Sequence, residues 1–256
     1  MPRRVRLTVA YDGAPFHGSA EQADVPTVIG TLRAAIETVV REPVALVAAG
    51  RTDAGVHAFG QVVSGDLPSN VDLAGLVRRV NRLCSPAVVV RVAEWAASPE
   101  FSARFDACWR LYRYEILNQP HPDPLLDATT WHVTEPLDLA AMRLGSDALI
   151  GEHDFSSFCR RPKVSAGYAE ASLVRRVLAT RWQRVPDDRT DGLLRFEVRG
   201  SAFCHQMVRS IVGTLVDVGR GRRRAGDVRA ILAARSRLAA SAPAPAHALC
   251  LWDVGY

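Results

Sequence analysis

Residues 28–49, VIGTLRAAIETVVREPVALVAA, decide the fold class. Val28, Leu32, Ala35, Ile36, Val39 and Val40 recur at the spacing that puts apolar side chains on one face of a helix. Pro43 cannot continue that helix, and residues 44–49 resume as a strand. Upstream, residues 4–11 (RVRLTVAY) alternate apolar and polar in the manner of a strand with one buried face. Downstream, the loop Gly50–His57 leads into a strand near 58–65. Leu73, Leu76, Val77, Val80 and Leu83 then mark a second helix. Asp72 stands at its N-cap position, and Arg78, Arg79 and Arg82 lie off the apolar stripe. Residues 87–95 (AVVVRVAEW) form another strand, which completes the order β-α-β-β-α-β.

After Pro99 the same order recurs. Residues 107–117 read as a strand, 138–149 as a helix, and 174–184 and 192–199 as strands joined by the turn signal Pro186-Asp187-Asp188. A helix follows near 203–218, with Met207, Val208, Ile211, Val212 and Leu215 on one side. A shorter helix at 226–236 and a strand at 249–254 end the pattern. The expected architecture is α+β: two ferredoxin-like βαββαβ units, residues 1–104 and 105–256. Their antiparallel sheets would join edge to edge into a continuous sheet with a central active-site cleft.

Composition narrows the class. The 256 residues are 48% hydrophobic and 23% charged, ordinary for a globular protein. No apolar run is long enough to span a bilayer, and the N-terminal residues lack a signal-peptide pattern, so the expected location is cytoplasmic. The five cysteines (Cys84, Cys108, Cys159, Cys204, Cys250) are odd in number and never spaced CxxC, which argues against a disulfide framework or a structural zinc site. A net charge of +5 favours a polyanionic partner weakly. All basic residues but Lys163 are arginine, whose fork grips phosphate at two points and stacks on bases.

The chemistry-bearing segment is Gly50-Arg51-Thr52-Asp53-Ala54-Gly55-Val56-His57, a loop between two strands. Gly50 and Gly55 bracket it and allow backbone angles that other residues resist. Asp53 would project from this loop, with Arg51 two residues away to favour its ionised form. An ionised, partly desolvated carboxylate suits attack on a sugar C1′ or stabilisation of charge there. An R-x-D loop is also a common local salt bridge.

Gly50 to Val62 (GRTDAGVHAFGQV) closely resembles the active-site signature of the bacterial tRNA pseudouridine synthase A family. Further matches follow in order: Tyr11-Asp12-Gly13 through Gly18, Phe101-Ser102-Ala103-Arg104 with Arg110-Leu111-Tyr112-Arg113-Tyr114, Gly151 to Phe158 (GEHDFSSF), Phe203 to Gly213 (FCHQMVRSIVG) and Asp253 to Tyr256. The resemblance covers nearly the whole chain. It implies Asp53 as the catalytic nucleophile and Tyr112 as the residue that stacks on the target base. It implies Arg51 as an RNA contact near the flipped nucleotide, and Arg209 as the partner of the catalytic aspartate. It implies conversion of uridine to pseudouridine at positions 38, 39 and 40 of the tRNA anticodon stem-loop by a homodimer, without cofactor or metal.

Independent physical reasons accompany these roles. A base that must leave C1′, turn and rejoin through C5 cannot do so while stacked in a helix, and an aromatic ring is the natural support for an everted base. Arg110, Tyr112 and Tyr114 alternate and so share one strand face. Arg209 lies in an apolar helix where a desolvated guanidinium needs a carboxylate, and Gly213, on the same helix face as Arg209 and His205, would admit another backbone. Gly219 to Arg224 (GRGRRR) suits phosphate or plain solvent. Glu152, His153 and Asp154 with Asp12 match no common metal pattern. Ser19-Ala20, Ile29 and His247 to Leu251 depart from the family pattern, which bears on RNA contacts. The rival expectations are a non-catalytic RNA-binding or folding-assistant protein and a metal-dependent nuclease.

Overall fold

A computed structural model describes residues 1–161, 172–187 and 190–256. In chain order the elements are β1 (Pro2–Tyr11), α1 (Val28–Val40), β2 (Leu46–Ala48), β3 (His57–Pro68), α2 (Leu73–Cys84) and β4 (Val88–Trp95). They continue with β5 (Trp109–Asn118), β6 (Trp131–Val133), α3 (Leu139–Asp147), β7 (Gly151–Asp154), β8 (Val174–Arg184) and β9 (Leu193–Gly200). The last three are α4 (Met207–Gly219), α5 (Asp227–Ala234) and β10 (Leu249–Gly255). The chain divides into two compact units, residues 1–110 with 250–256, and residues 111–249. Among the described residues no helix is long and apolar enough to cross a membrane.

In the first unit β1 lies between β3 and β4, antiparallel to both, with Leu7 opposite Val63 and Val5 opposite Trp95. Val5, Leu7, Val9 and Tyr11 are buried while Arg4, Arg6 and Thr8 stay half-exposed, as the alternation predicts. The hydroxyl of Thr27 caps α1 by accepting from the Gly30 amide at 3.3 Å, and Val28, Ile29, Leu32, Ala35 and Ile36 form its buried face. The helix ends one turn before the proline stop could act, because Arg41 turns left-handed at φ 61°. Asp72 caps α2 as expected, accepting from the amides of Ala74 and Gly75. The stripe of α2 runs through Leu76, Val80 and Cys84, whereas Leu83 faces solvent. The first unit thus has the predicted βαββαβ order.

The second unit differs from a plain repeat. Its sheet runs β5-β9-β8-β7, with β6 beside β5. Trp182 and Phe196, opposite one another on β8 and β9, meet with tilted rings at 4.7 Å, and α4 buries Met207, Val208, Ile211, Val212 and Leu215. β6 and β7 have three and four residues, too short for periodicity to show. The closing strand β10 pairs in parallel with β3 (Cys250 opposite His57), so 250–256 belong to the first unit, and the division differs from the expected 1–104 and 105–256. α4 begins at Met207 because Gln206 sits left-handed at φ 63°, which leaves His205 outside the helix and off the face of Arg209. Asp188 of the turn signal lies outside the described residues.

Candidate active site

The loop 50–57 is anchored at both ends and from beneath. Its turn runs from Asp53 to Val56, whose amide donates to the Asp53 carbonyl at 3.1 Å. Gly55 has φ +77° while Ala54 does not have positive φ, the geometry of a type II turn, which requires glycine or asparagine at that place. Asp53 is half-buried at the first turn position, and Arg51 is exposed.

Thr52 points the other way, into the core. Its hydroxyl lies 2.8 Å from the Tyr11 hydroxyl, and its amide donates to Ser19 Oγ at 2.8 Å. The Ser19 amide returns a bond to the Thr52 carbonyl at 3.1 Å. Gln61 Nε2 donates to the Gly50 carbonyl at 2.8 Å and reaches Tyr11 Oη at 3.4 Å. An amide nitrogen can only donate, so the phenol accepts from Gln61, while either hydroxyl can donate in the bond between Tyr11 and Thr52. Burial pushes the Tyr11 pKa up to about 12, opposed chiefly by its bond to Thr52. Tyr11 therefore keeps its proton at neutral pH, and the loop backbone leading into Asp53 is fastened through Thr52 and Gln61, both of which it touches.

The segment 11–19 wraps this loop at backbone distance. A Cβ on Gly13 would lie 2.1 Å from the Val56 carbonyl oxygen, and one on Gly18, at φ +101°, would meet the Thr52 oxygen at 3.1 Å. His57 Nδ1 is 3.1 Å from the Gly13 amide and 3.1 Å from Asp12 Oδ1. A ring nitrogen cannot serve both as acceptor and as donor. The amide always has its proton while the Asp12 carboxylate faces solvent, so the amide bond governs and His57 orders the loop.

Ser19 was read as a departure bearing on RNA contact. The structure buries it to 1% exposure beneath Thr52, so its role is to hold the loop. Ser19→Ala leaves the Thr52 amide buried without its acceptor. The expected loss is about 1–2 kcal/mol of stability, read as a lowered urea midpoint at unchanged slope.

Tyr112 lies on β5 and Arg209 on α4, in the second unit. Tyr112 is 7% exposed and takes the Phe203 ring edge-on at 5.2 Å. Its strand neighbours have other roles than the expected basic, aromatic face. Tyr114 is fully buried, donates to the Pro245 carbonyl at 3.0 Å, and is held well above the usual phenol range by burial, with Arg209 opposing. Arg110 is buried too, donating to the carbonyls of Ala49, Arg104 and Ala107. From the start of β5 it clamps Ala49, the residue before the 50–57 loop.

Arg209 and the 242–246 connector form one assembly. Arg209 Nε donates to the Ala244 carbonyl at 2.7 Å, and the Ala244 amide returns a bond to the Arg209 carbonyl at 3.0 Å. Gly213 does admit another backbone: a Cβ there would lie 2.1 Å from the Ala242 oxygen. The Ala-Pro-Ala-Pro-Ala stretch at 242–246 thus fixes the guanidinium's aim. The 219–224 run is tied down by carboxylates, Arg220 and Arg222 reaching Glu135 at 3.0 and 3.1 Å. Asp154 accepts from the Ser156 amide and pairs with Arg235 at 3.3 Å. Among the described residues no group of three or more His, Cys, Asp or Glu side chains comes together as a metal site.

Tyr11, Gln61 and Phe203 sat inside the recognised motifs without an assigned role. Ala244 carried no signal, since its work is done through backbone atoms, and Ser19 stood out only as a departure from the family pattern, since its hydroxyl serves a backbone amide distant in sequence.

Residues 146–256 match the family model described as tRNA pseudouridine synthase. A tRNA pseudouridine synthase A from Frankia casuarinae is 43% identical over 255 residues, covering 99% of this chain and 89% of that one. Its namesake from Brevibacillus brevis is 39% identical, covering 99% and 100%, and that from a Caulobacter species 41%, covering 100% and 98%. At such identity over the full length, the chain belongs to the tRNA pseudouridine synthase A family.

Proposed function

We propose that this protein isomerises uridine to pseudouridine at positions 38, 39 and 40 of the tRNA anticodon stem-loop, with Asp53 as the catalytic carboxylate. The observation that carries the reading is the loop itself: a half-buried aspartate at the head of a glycine-dependent turn, its flanking backbone fastened through Thr52 to Tyr11 and Ser19. A fixed carboxylate is preorganised for attack at C1′ or for stabilising charge there. The N1–C1′ bond breaks, the uracil turns in place, C5 bonds to C1′, the C5 proton is released, and N1 takes up a proton. The reaction is redox-neutral and needs no cofactor. Arg51, exposed on the same loop, contacts RNA near the flipped nucleotide, Tyr112 supports the everted base, and Arg209 is a further substrate-binding residue.

The test is tritium release from tRNA carrying 5-tritiated uracil, followed by mapping of the modified positions. Release that disappears when uridines 38, 39 and 40 are replaced by cytidine supports the reading. Tight tRNA binding without release points instead to an RNA-binding or folding-assistant protein, and release abolished by chelator to metal-dependent chemistry. Tyr112→Ala is expected to lower kcat/KM by about a hundredfold, the loss of roughly 1–3 kcal/mol of stacking, while Tyr112→Phe retains most of it. Equal losses in both variants would assign the role to the hydroxyl. We place the enzyme in the cytoplasm as a homodimer, which light scattering of the purified protein tests.

A further inference from the structure

We propose that Cys159 and Cys204 are a peroxide-reactive thiol pair that closes to an intramolecular disulfide at the entry to α4. The two residues are far apart in sequence, yet the Arg160 amide donates to the His205 carbonyl at 3.0 Å, which fastens their chain segments side by side. Each thiol acts on the other's proton, so the two side chains face one another. Cys159 is only 1% exposed, whereas Cys204 is half-exposed three residues before α4. All five cysteines are free thiols, and the other three, Cys84, Cys108 and Cys250, belong to the first unit.

This asymmetry sets which sulfur reacts. The buried Cys159 thiol keeps its proton and donates it to Cys204, which pushes the Cys159 pKa up and draws that of Cys204 down. Arg175 favours the thiolate and Asp154 opposes it. A partly exposed, thiolate-rich cysteine beside a resolving thiol is the arrangement found in peroxide-sensitive proteins.

The chemistry balances with hydrogen peroxide as the oxidant. The Cys204 thiolate attacks one peroxide oxygen and becomes a sulfenic acid as hydroxide leaves. The Cys159 sulfur then attacks the Cys204 sulfur, its proton departs with the sulfenic oxygen as water, and the hydroxide becomes the second water with the proton that Cys204 gave up as its thiolate formed. Two thiols are oxidised by two electrons, and one peroxide is reduced to two waters. The bond would pin the residue next to Phe203, whose ring abuts Tyr112. The covalent step is independent of what Tyr112 does.

The experiment treats the full-length protein with hydrogen peroxide, alkylates the remaining thiols, and digests it for mass spectrometry. Peptides containing Cys159 and Cys204 are expected joined, about 2 Da below their summed mass, and released by dithiothreitol. Cys108→Ser leaves the link intact, Cys204→Ser removes it, and Cys159→Ser converts it to over-oxidised Cys204. Circular dichroism of each variant separates loss of the link from loss of the fold. Both cysteines remaining alkylatable at peroxide levels that oxidise Cys108 would overturn the proposal, as would a link running through Cys108.

Discussion

Asp53→Asn is expected to reduce tritium release by more than about a thousandfold, in line with removal of a group that acts covalently or on developing charge. The substitution keeps the side chain's shape and removes its charge, so the turn from Asp53 to Val56, held by main-chain atoms and Gly55, persists. Affinity for tRNA should stay within about threefold, because phosphate contacts supply most RNA affinity. Kinetics and binding measured on one preparation separate the two effects. An Asn variant releasing tritium at near the parental rate would remove Asp53 from the chemistry. One that lost binding and turnover together would make it a docking residue.

Gly13→Ala is expected to have the largest structural effect. Its new methyl would stand 2.1, 2.5 and 2.8 Å from the oxygen, carbon and nitrogen of Val56. All three are backbone atoms and cannot swing aside as a flexible side chain would. One of the two chain segments must retreat, and the Gly13 amide bond to His57 goes with it. Overpacking of this kind costs about 3 kcal/mol, read as a fall in thermal midpoint of roughly 6–12 °C for a chain of this size. Turnover should fall as well, since Val56 closes the turn that begins at Asp53. An unchanged midpoint would mean that the loop is not clamped from this side. Gly221, with nothing within 4 Å of a would-be Cβ but φ +71°, serves as a control in which strain arises without collision.

Periodicity and punctuation carried most of the first unit. Asp72 caps its helix, β1 alternates, and the loop 50–57 lies between strands, because each depends on neighbours a few residues away in sequence. The same locality explains the misses. β6 and β7 exist only because longer strands stand beside them. β10 follows the second unit in sequence, but its pairing with His57 and Ala58 on β3 places 250–256 in the first.

The residue types of the candidate site, Asp53 with Arg51, Tyr112 and Arg209, were set by sequence alone through an ordered run of motifs. What holds them was decided only by the tertiary structure. Arg110 and Tyr114, expected to share a strand face with Tyr112, have their polar atoms committed by burial to carbonyls of Ala49 and Pro245. Ser19 and the 242–246 connector became supports for the loop and for Arg209. The physical reason is that a hydrogen bond to a distant backbone atom leaves no trace in local pattern. Side-chain chemistry is written residue by residue, while its aim is set by contacts between segments the chain folds together.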